Sequence, residues 1–219
     1  KPHVNYKEAI YGSIKHREVF EKQTGGKGKF ADIEVEISEG KEGTFGLEFI
    51  NDMKGDAIPK EFIPSIQKGF EMGLSNGPIA GYPLEKAKVR LLGGSAHPVD
   101  SDNLSFEIAA RQALRTATRN MESRLLEPMM KLEIVTPEEY MGDVVADLNK
   151  RRAEIRGMDE ANGARVVRAN VPLSEQFGYV TVLRTLTSGR ATSSMEFSHY
   201  EAMPVELEKK ILEKGLLSF

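Results

Sequence analysis

Residues 29–37, Lys-Phe-Ala-Asp-Ile-Glu-Val-Glu-Ile, alternate without a break: Ala31, Ile33, Val35 and Ile37 fall on one side, and Asp32, Glu34 and Glu36 on the other. A period of two sends successive side chains to opposite faces of a strand, so this segment must lie in a sheet with one dry face and one wet, acidic face. A second strand candidate, 44–51, follows the turn at Gly40 and Gly43 and reads as its antiparallel neighbour. Residues 61–74 then place Phe62, Ile63, Ile66, Phe70 and Leu74 at helical spacing, and Asn76-Gly77-Pro78 stops that helix. An extended segment at 85–93 leads into a second helix whose apolar stripe is Phe106, Ala109, Ala110, Ala113, Ala117 and Met121. On another face of it Arg111, Arg115 and Arg119 recur every four residues; the pattern favours a solvated helix face over a phosphate-tracking ridge.

A boundary is expected near Glu127-Pro128. Beyond it come a short strand at 131–135 and a helix start at Thr136-Pro137-Glu138-Glu139, with Thr136 as cap, Pro137 in the first turn and Glu139 closing a capping box. Two strands follow at about 153–158 and 164–171, around a turn at Asp159–Gly163. A helix from Ser174 to Leu186 is ended by Gly189, and 190–200 supplies a last alternating strand. The order βαββαβ predicts a ferredoxin-like split βαβ sandwich. A final helix runs from Pro204 to about Lys214.

Composition removes several classes of function. With no cysteine among 219 residues, disulfide scaffolds, thiolate zinc sites and cysteine nucleophiles are excluded. The four histidines, His3, His16, His97 and His199, are too scattered for a metal-spaced pair. No apolar run approaches the roughly 20 residues of a membrane helix, so a cytoplasmic protein without a membrane partner is expected. Lys1 in the place of an initiator Met suggests a piece of something longer. The net charge of −3 hides a segregation. Residues 1–30 hold seven Lys or Arg against three acids, while 31–57 hold eight acids against Lys41 and Lys54, which points to a segregated surface.

Two loops carry candidate chemistry. Thr24, Gly25, Gly26, Lys27, Gly28 and Lys29 resemble a phosphate loop only superficially, because Gly28-Lys29-Phe30 leads into a strand, whereas a Walker loop leads into a helix. They remain either a hairpin tip or a basic loop able to approach an RNA backbone. The segment 93–102 carries the lone His97 beside Asp100, Ser101 and Asp102. A His-Asp hydrolase would need an activated nucleophile that no motif supplies, and Ser101 reads as a helix cap. In the second half, Arg184, Thr185, Ser188 and Arg190 surround a helix end where phosphates could be met, with backbone amides near Gly189 adding donors. Residues alone lead to two α/β domains, cytosolic and able to contact RNA.

Several segments resemble the fourth and fifth domains of bacterial elongation factor G, the ribosomal translocase. They are QTGGKGKFADI at 23–33, IPKEFIPSIQKGFEMGLSNGPIAGYPL at 58–84, GSAHPVDSDNLSFEIAA at 94–110, EPMMKLEI at 127–134, GDVVADLNKRR at 142–152 and GRATSSMEFSHY at 189–200. The resemblance implies an α+β chain. An S5-like βαβ domain with a left-handed crossover would occupy 1–127, with 204–219 packing back on it, and a ferredoxin-like domain 128–203. It further implies that Thr24–Lys29 and Gly94–Ser101, with His97 and Asp100, form a tip that enters the decoding region and meets tRNA and mRNA. Arg184, Thr185, Ser188 and Arg190 would face large-subunit rRNA near the sarcin-ricin loop. GTP and magnesium are implied only for an N-terminal domain lying outside this chain. The chain itself would then have no catalytic site and no cofactor, and would be a monomer with the ribosome as partner. Paralogues that protect ribosomes from tetracycline or act in recycling are the alternative. Phe30-Ala31-Asp32 and Ala96 depart from the family's usual residues, and Asp32 would put negative charge near the tip.

Overall fold

The computed structural model describes residues 3–23 and 25–216. The chain divides into two compact units, one comprising Lys7–Leu125 with the segment from Pro204 onward, the other Leu126–Met203 with the segment ending at Tyr6.

In the first unit, β1 (Lys7–Tyr11) is followed by β2 (Ser13–Lys22), β3 (Lys29–Ser38), β4 (Gly46–Asn51), α1 (Ile63–Gly73), β5 (Lys86–Ser95) and α2 (Asn103–Thr118). Four strands form a sheet in the order β2-β3-β5-β4, with β3 antiparallel to both neighbours and β4 parallel to β5. The alternation in β3 does what its period demands. Ala31, Ile33, Val35 and Ile37 are buried against α1 and α2 together with Val89 and Leu91. Phe62 stacks on Phe106 with ring centroids 4.9 Å apart, and the alanine stripe of α2 is fully buried beside Ile66 and Phe70.

Two expectations are corrected here. β4 is not the neighbour of β3: β5 lies between them, because the crossover through α1 returns the chain in parallel. The strand that does pair with β3 is β2, whose partly buried positions are Ile14, His16, Glu18 and Phe20, so polar residues mask the alternation. That pairing also sets part of the basic segment against the acidic one. Basic β2 lies beside acidic β3, with Lys15 opposite Glu36 and Arg17 opposite Glu34, and Arg90 of β5 donates to Glu36 at 2.9 Å. Charges separated along the chain are neighbours across the sheet.

The long strand β6 (Glu122–Thr136) crosses from one unit to the other. The second unit continues with α3 (Met141–Lys150), β7 (Glu154–Ala161), β8 (Ala164–Pro172), α4 (Tyr179–Leu186) and β9 (Thr192–Ala202). Its strand order, β9-β6-β8-β7, is the ferredoxin-like arrangement. The core joins Leu132 and Ile134 of β6 and Val167 of β8 to Val144, Leu148 and Leu183 of the two helices. Glu127, only 3% exposed, is gripped by both terminal nitrogens of Arg152 at 2.9 and 3.0 Å. The Thr136 capping box does not form. The Thr136 hydroxyl donates to the Pro137 carbonyl, and a 3-10 turn at Glu138–Tyr140 precedes α3. The Ser174 helix is likewise shorter: a 3-10 turn at Leu173–Glu175 is followed, after the left-handed Gly178, by α4. The turn between β7 and β8 is two residues, Asn162-Gly163, both at positive φ, as a tight hairpin requires.

The last helix, α5 (Val205–Leu216), is tied into the first unit by Glu208, which accepts from Arg124 Nε at 3.2 Å and from the Leu125 amide at 3.0 Å. Among the described residues no helix is long and apolar enough to cross a membrane.

Candidate nucleic-acid interface

The Gly-rich loop and the His97 loop, some 70 residues apart in sequence, close into one tip. The Phe30 amide donates to the Asp100 carbonyl at 2.9 Å, and the Ser101 hydroxyl donates to the Phe30 carbonyl at 2.8 Å. Gly28 is buried against Asp100 and the Lys22 carbonyl, and the Phe30 and His97 rings lie 6.4 Å apart. Gly28-Lys29 opens strand β3, the wrong context for a phosphate-binding helix N-terminus. Thr24 lies outside the described residues.

Within the tip the polar groups divide into those already engaged and those that are available. Lys29 is engaged: its ammonium bonds the Asp102 carboxylate. Asp102, not Ser101, caps α2, accepting from the Ser105 amide at 2.8 Å and from its hydroxyl at 2.6 Å. Ser101 is used otherwise, accepting from the His97 amide at 2.8 Å while it donates to Phe30. Burial opposes charge on Asp102, but the Lys29 ammonium and the Ser105 donors outweigh it and hold the carboxyl at about 2. Since that lies below the ordinary 3.8, the cap's contribution is fully present above that value and is lost as pH falls through about 2. Asp102→Ala is expected to cost about 1–2 kcal/mol near neutrality. In urea unfolding, the gap between variant and parent should close as pH falls below 4 toward 2; a gap constant with pH would contradict the assignment.

His97 and Lys27 are the available groups. The imidazole is exposed, and its Nδ1 accepts from the Val99 and Asp100 amides at 3.1 and 3.0 Å. Two donors on Nδ1 assign the proton to Nε2, which is left as a presented donor. The Asp100 carboxylate sits 3.8 Å from Nδ1, and the Ser101 hydroxyl is turned to Phe30, so no nucleophile faces the histidine. A hydrolase reading finds no support in that geometry. Lys27, with Gly25 and Gly26, is exposed and makes no ion pair among the described residues.

Asp32 does not burden the tip with free charge. Arg17 grips it through two bonds of 2.9 Å, holding its carboxyl below the usual range against the effect of burial, and Ser95 donates at 2.7 Å. This Arg17-Asp32-Ser95 cluster ties three strands beneath the tip. No local pattern reveals it, because its members come from β2, β3 and β5.

The second candidate set lies in the other unit, at the end of α4. Arg184, Thr185, Ser188 and Arg190 are all exposed, and Ser188 and Gly189 both take positive φ to end the helix. The Arg190 guanidinium is engaged with Glu139 at 2.6 Å and lies 5.9 Å from the centroid of the Tyr140 ring. The amides expected as phosphate donors are also engaged: Gly189 donates to the Arg184 carbonyl at 2.8 Å and Arg190 to that of Thr187 at 2.9 Å. Thr185 donates to the Thr181 carbonyl at 3.1 Å. Arg184 makes no ion pair among the described residues.

A family model described as elongation factor G, domain IV, matches residues 2–122, and one described as the elongation factor G C-terminus matches 124–211. The chain belongs to the elongation factor G family. The elongation factor G of Cytophaga hutchinsonii is 58% identical over 213 residues, and that of Amoebophilus asiaticus 54% over 213 residues. In both comparisons 97% of this chain is covered and 30% of the relative, so the chain spans about a third of the length of these relatives. A crystal structure of a protein from Thermus thermophilus superposes with a TM-score of 0.88 at 34% identity, covering 97% of this chain and 32% of that one. The expected fold class, an elongation factor G domain IV followed by a ferredoxin-like C-terminal domain, is therefore the one found.

Proposed function

We propose that this chain is the ribosome-probing arm of a cytoplasmic translational GTPase and acts mechanically, without a catalytic site of its own, in moving tRNA and mRNA. The observation that carries the reading is the closed tip, where two loops are cross-bonded through Phe30, Asp100 and Ser101 and present, among the described residues, the unpaired cation Lys27 and the donor His97 Nε2. A rigid tip suits a part that blocks backward slippage by occupying space, because little ordering entropy remains to be lost on docking. A cation and an N–H donor suit phosphate and ribose oxygens. Arg184 is the residue of the second set whose charge is uncommitted and so available for large-subunit rRNA. GTP and magnesium belong, on this reading, to a separate N-terminal domain of the full-length factor.

Lys29 drops out as a direct contact, since its charge is neutralised by Asp102. In the full-length factor, Lys27→Glu or His97→Ala should slow translocation about tenfold, equivalent to about 1.4 kcal/mol of barrier, while ribosome-stimulated GTP hydrolysis stays within about twofold. Parallel loss of both activities, in rapid-kinetic measurements on the same preparation, would contradict the mechanical reading.

A further inference from the structure

The arginine row of α2 turns out to line a groove. With a volume of about 720 Å³, the groove runs between α2, the end of α1 and the loop after it, and Arg111, Arg115 and Arg119 all face it. The bare pattern favoured a solvated face, but three features separate this row from one. First, among the described residues no carboxylate lines the groove; its other walls are backbone and small or uncharged side chains such as Asn76, Pro78, Ile108 and Gln112. Second, none of the three arginines makes an ion pair among the described residues, and outside the row only Arg184 shares that condition. Every other arginine is matched to an acid, as Arg17, Arg90 and Arg152 are. Third, the facing wall is rigid, because the buried Glu8 carboxylate accepts from the amides of Ile79, Ala80 and Tyr82 at 2.6, 3.0 and 2.8 Å. The Glu8 carboxylate beneath that loop is thereby turned inward and committed.

We infer that this groove is a second RNA-binding surface, taking the phosphate backbone of a single RNA strand along the Arg111-Arg115-Arg119 ridge. Positions four apart on a helix rise about 6 Å, a step commensurate with successive phosphates of one strand. Guanidinium groups bind phosphate oxygens in pairs, and the apolar floor of Ile108 and Pro78 suits ribose. An acidic peptide would satisfy the charge but offers no sugar to lie against that floor. The ridge begins about 12 Å along α2 from its capped end, so it is separate from the tip and does not depend on the tip reading.

The test uses this chain, a fluorescein-labelled single-stranded RNA of mixed sequence, and anisotropy titrations between about 50 and 200 mM salt. The triple variant Arg111→Gln, Arg115→Gln, Arg119→Gln changes only exposed side chains, and its fold is verified by thermal melting. It should bind at least about tenfold more weakly, with the slope of log affinity against log salt reduced by about 2, as loss of three phosphate contacts to a single strand requires. The corresponding triple lysine variant should retain most of the affinity. Lys60→Gln, Lys209→Gln, Lys210→Gln removes equal charge from exposed positions outside the groove and should leave binding nearly unchanged. Lys27→Gln, titrated in parallel, reads the tip separately. Absence of RNA binding by the parent chain, or equal losses in the two triple glutamine variants, overturns the inference. So does displacement of the RNA by polyglutamate as readily as by unlabelled RNA.

Discussion

Replacing Glu8 with alanine is expected to lower the stability of the chain by about 3–5 kcal/mol, because three backbone amides lose a charged acceptor at once. Glu8 is completely buried, and among the described residues no cation pairs with it; its charge is held by the amides of Ile79, Ala80 and Tyr82. The loop they belong to packs directly on that carboxylate, where a Cβ on Gly77 would overlap it, so truncation leaves a buried void lined by three amide donors. Glu8→Gln keeps one carbonyl acceptor but turns an NH₂ toward N–H donors, and should fall between the parent and alanine. Urea unfolding of the three proteins should give the order Glu, Gln, Ala. A Gln variant as stable as the parent would show that the negative charge contributes nothing.

Gly94→Ala should be comparably damaging, at about 3–5 kcal/mol. Gly94 has φ of +152°, and a Cβ there would lie 2.1 Å from the Asp32 carbonyl oxygen and 2.7 Å from Ile58 Cδ1. The first obstacle is backbone of the adjacent strand, which cannot rotate aside as a side chain can, so β3 and β5 must part locally. Steric overlap and the disfavoured φ each cost roughly 1–3 kcal/mol. The separation would fall beside the Arg17-Asp32-Ser95 cluster and directly under the His97 loop, so hydrogen exchange at Phe30 and Ser101 should accelerate along with the loss of stability. A variant destabilised by less than about 1 kcal/mol would mean that the two strands can shift independently, contrary to the packing described.

The legible parts were those in which a periodic pattern coincided with burial. Ala31, Ile33, Val35 and Ile37, and the alanine stripe of α2, were identifiable because a dry face against helices demands apolar residues at a fixed period. β2 is illegible for the converse reason: its inward positions include His16 and Glu18, which bond each other at 2.9 Å and so tolerate partial burial. The place of β4 is illegible because alternation reports a face and not a partner. At the tip, the two loops could be named from glycine, lysine and histidine content and from resemblance. Which groups were free could not be named. Lys27 and Lys29 look equivalent along the chain, yet Asp102, 73 residues beyond Lys29, removes one of them from service.

Local periodicity and dense stretches of shared residues were enough for most of the helices and strands, the two-part organisation and the family, but not for β2 or the helix starts at Thr136 and Ser174. Which charges are paired became visible only in the folded chain. Bases of one segment and acids of the next meet across the sheet, as Arg17 meets Asp32. An arginine row that looked like ordinary solvated surface emerged as an unpaired ridge along a groove. The physical reason is that a charge is neutralised by whatever lies within a few ångströms of it, and in a folded chain those neighbours come mostly from strands and loops far away in sequence.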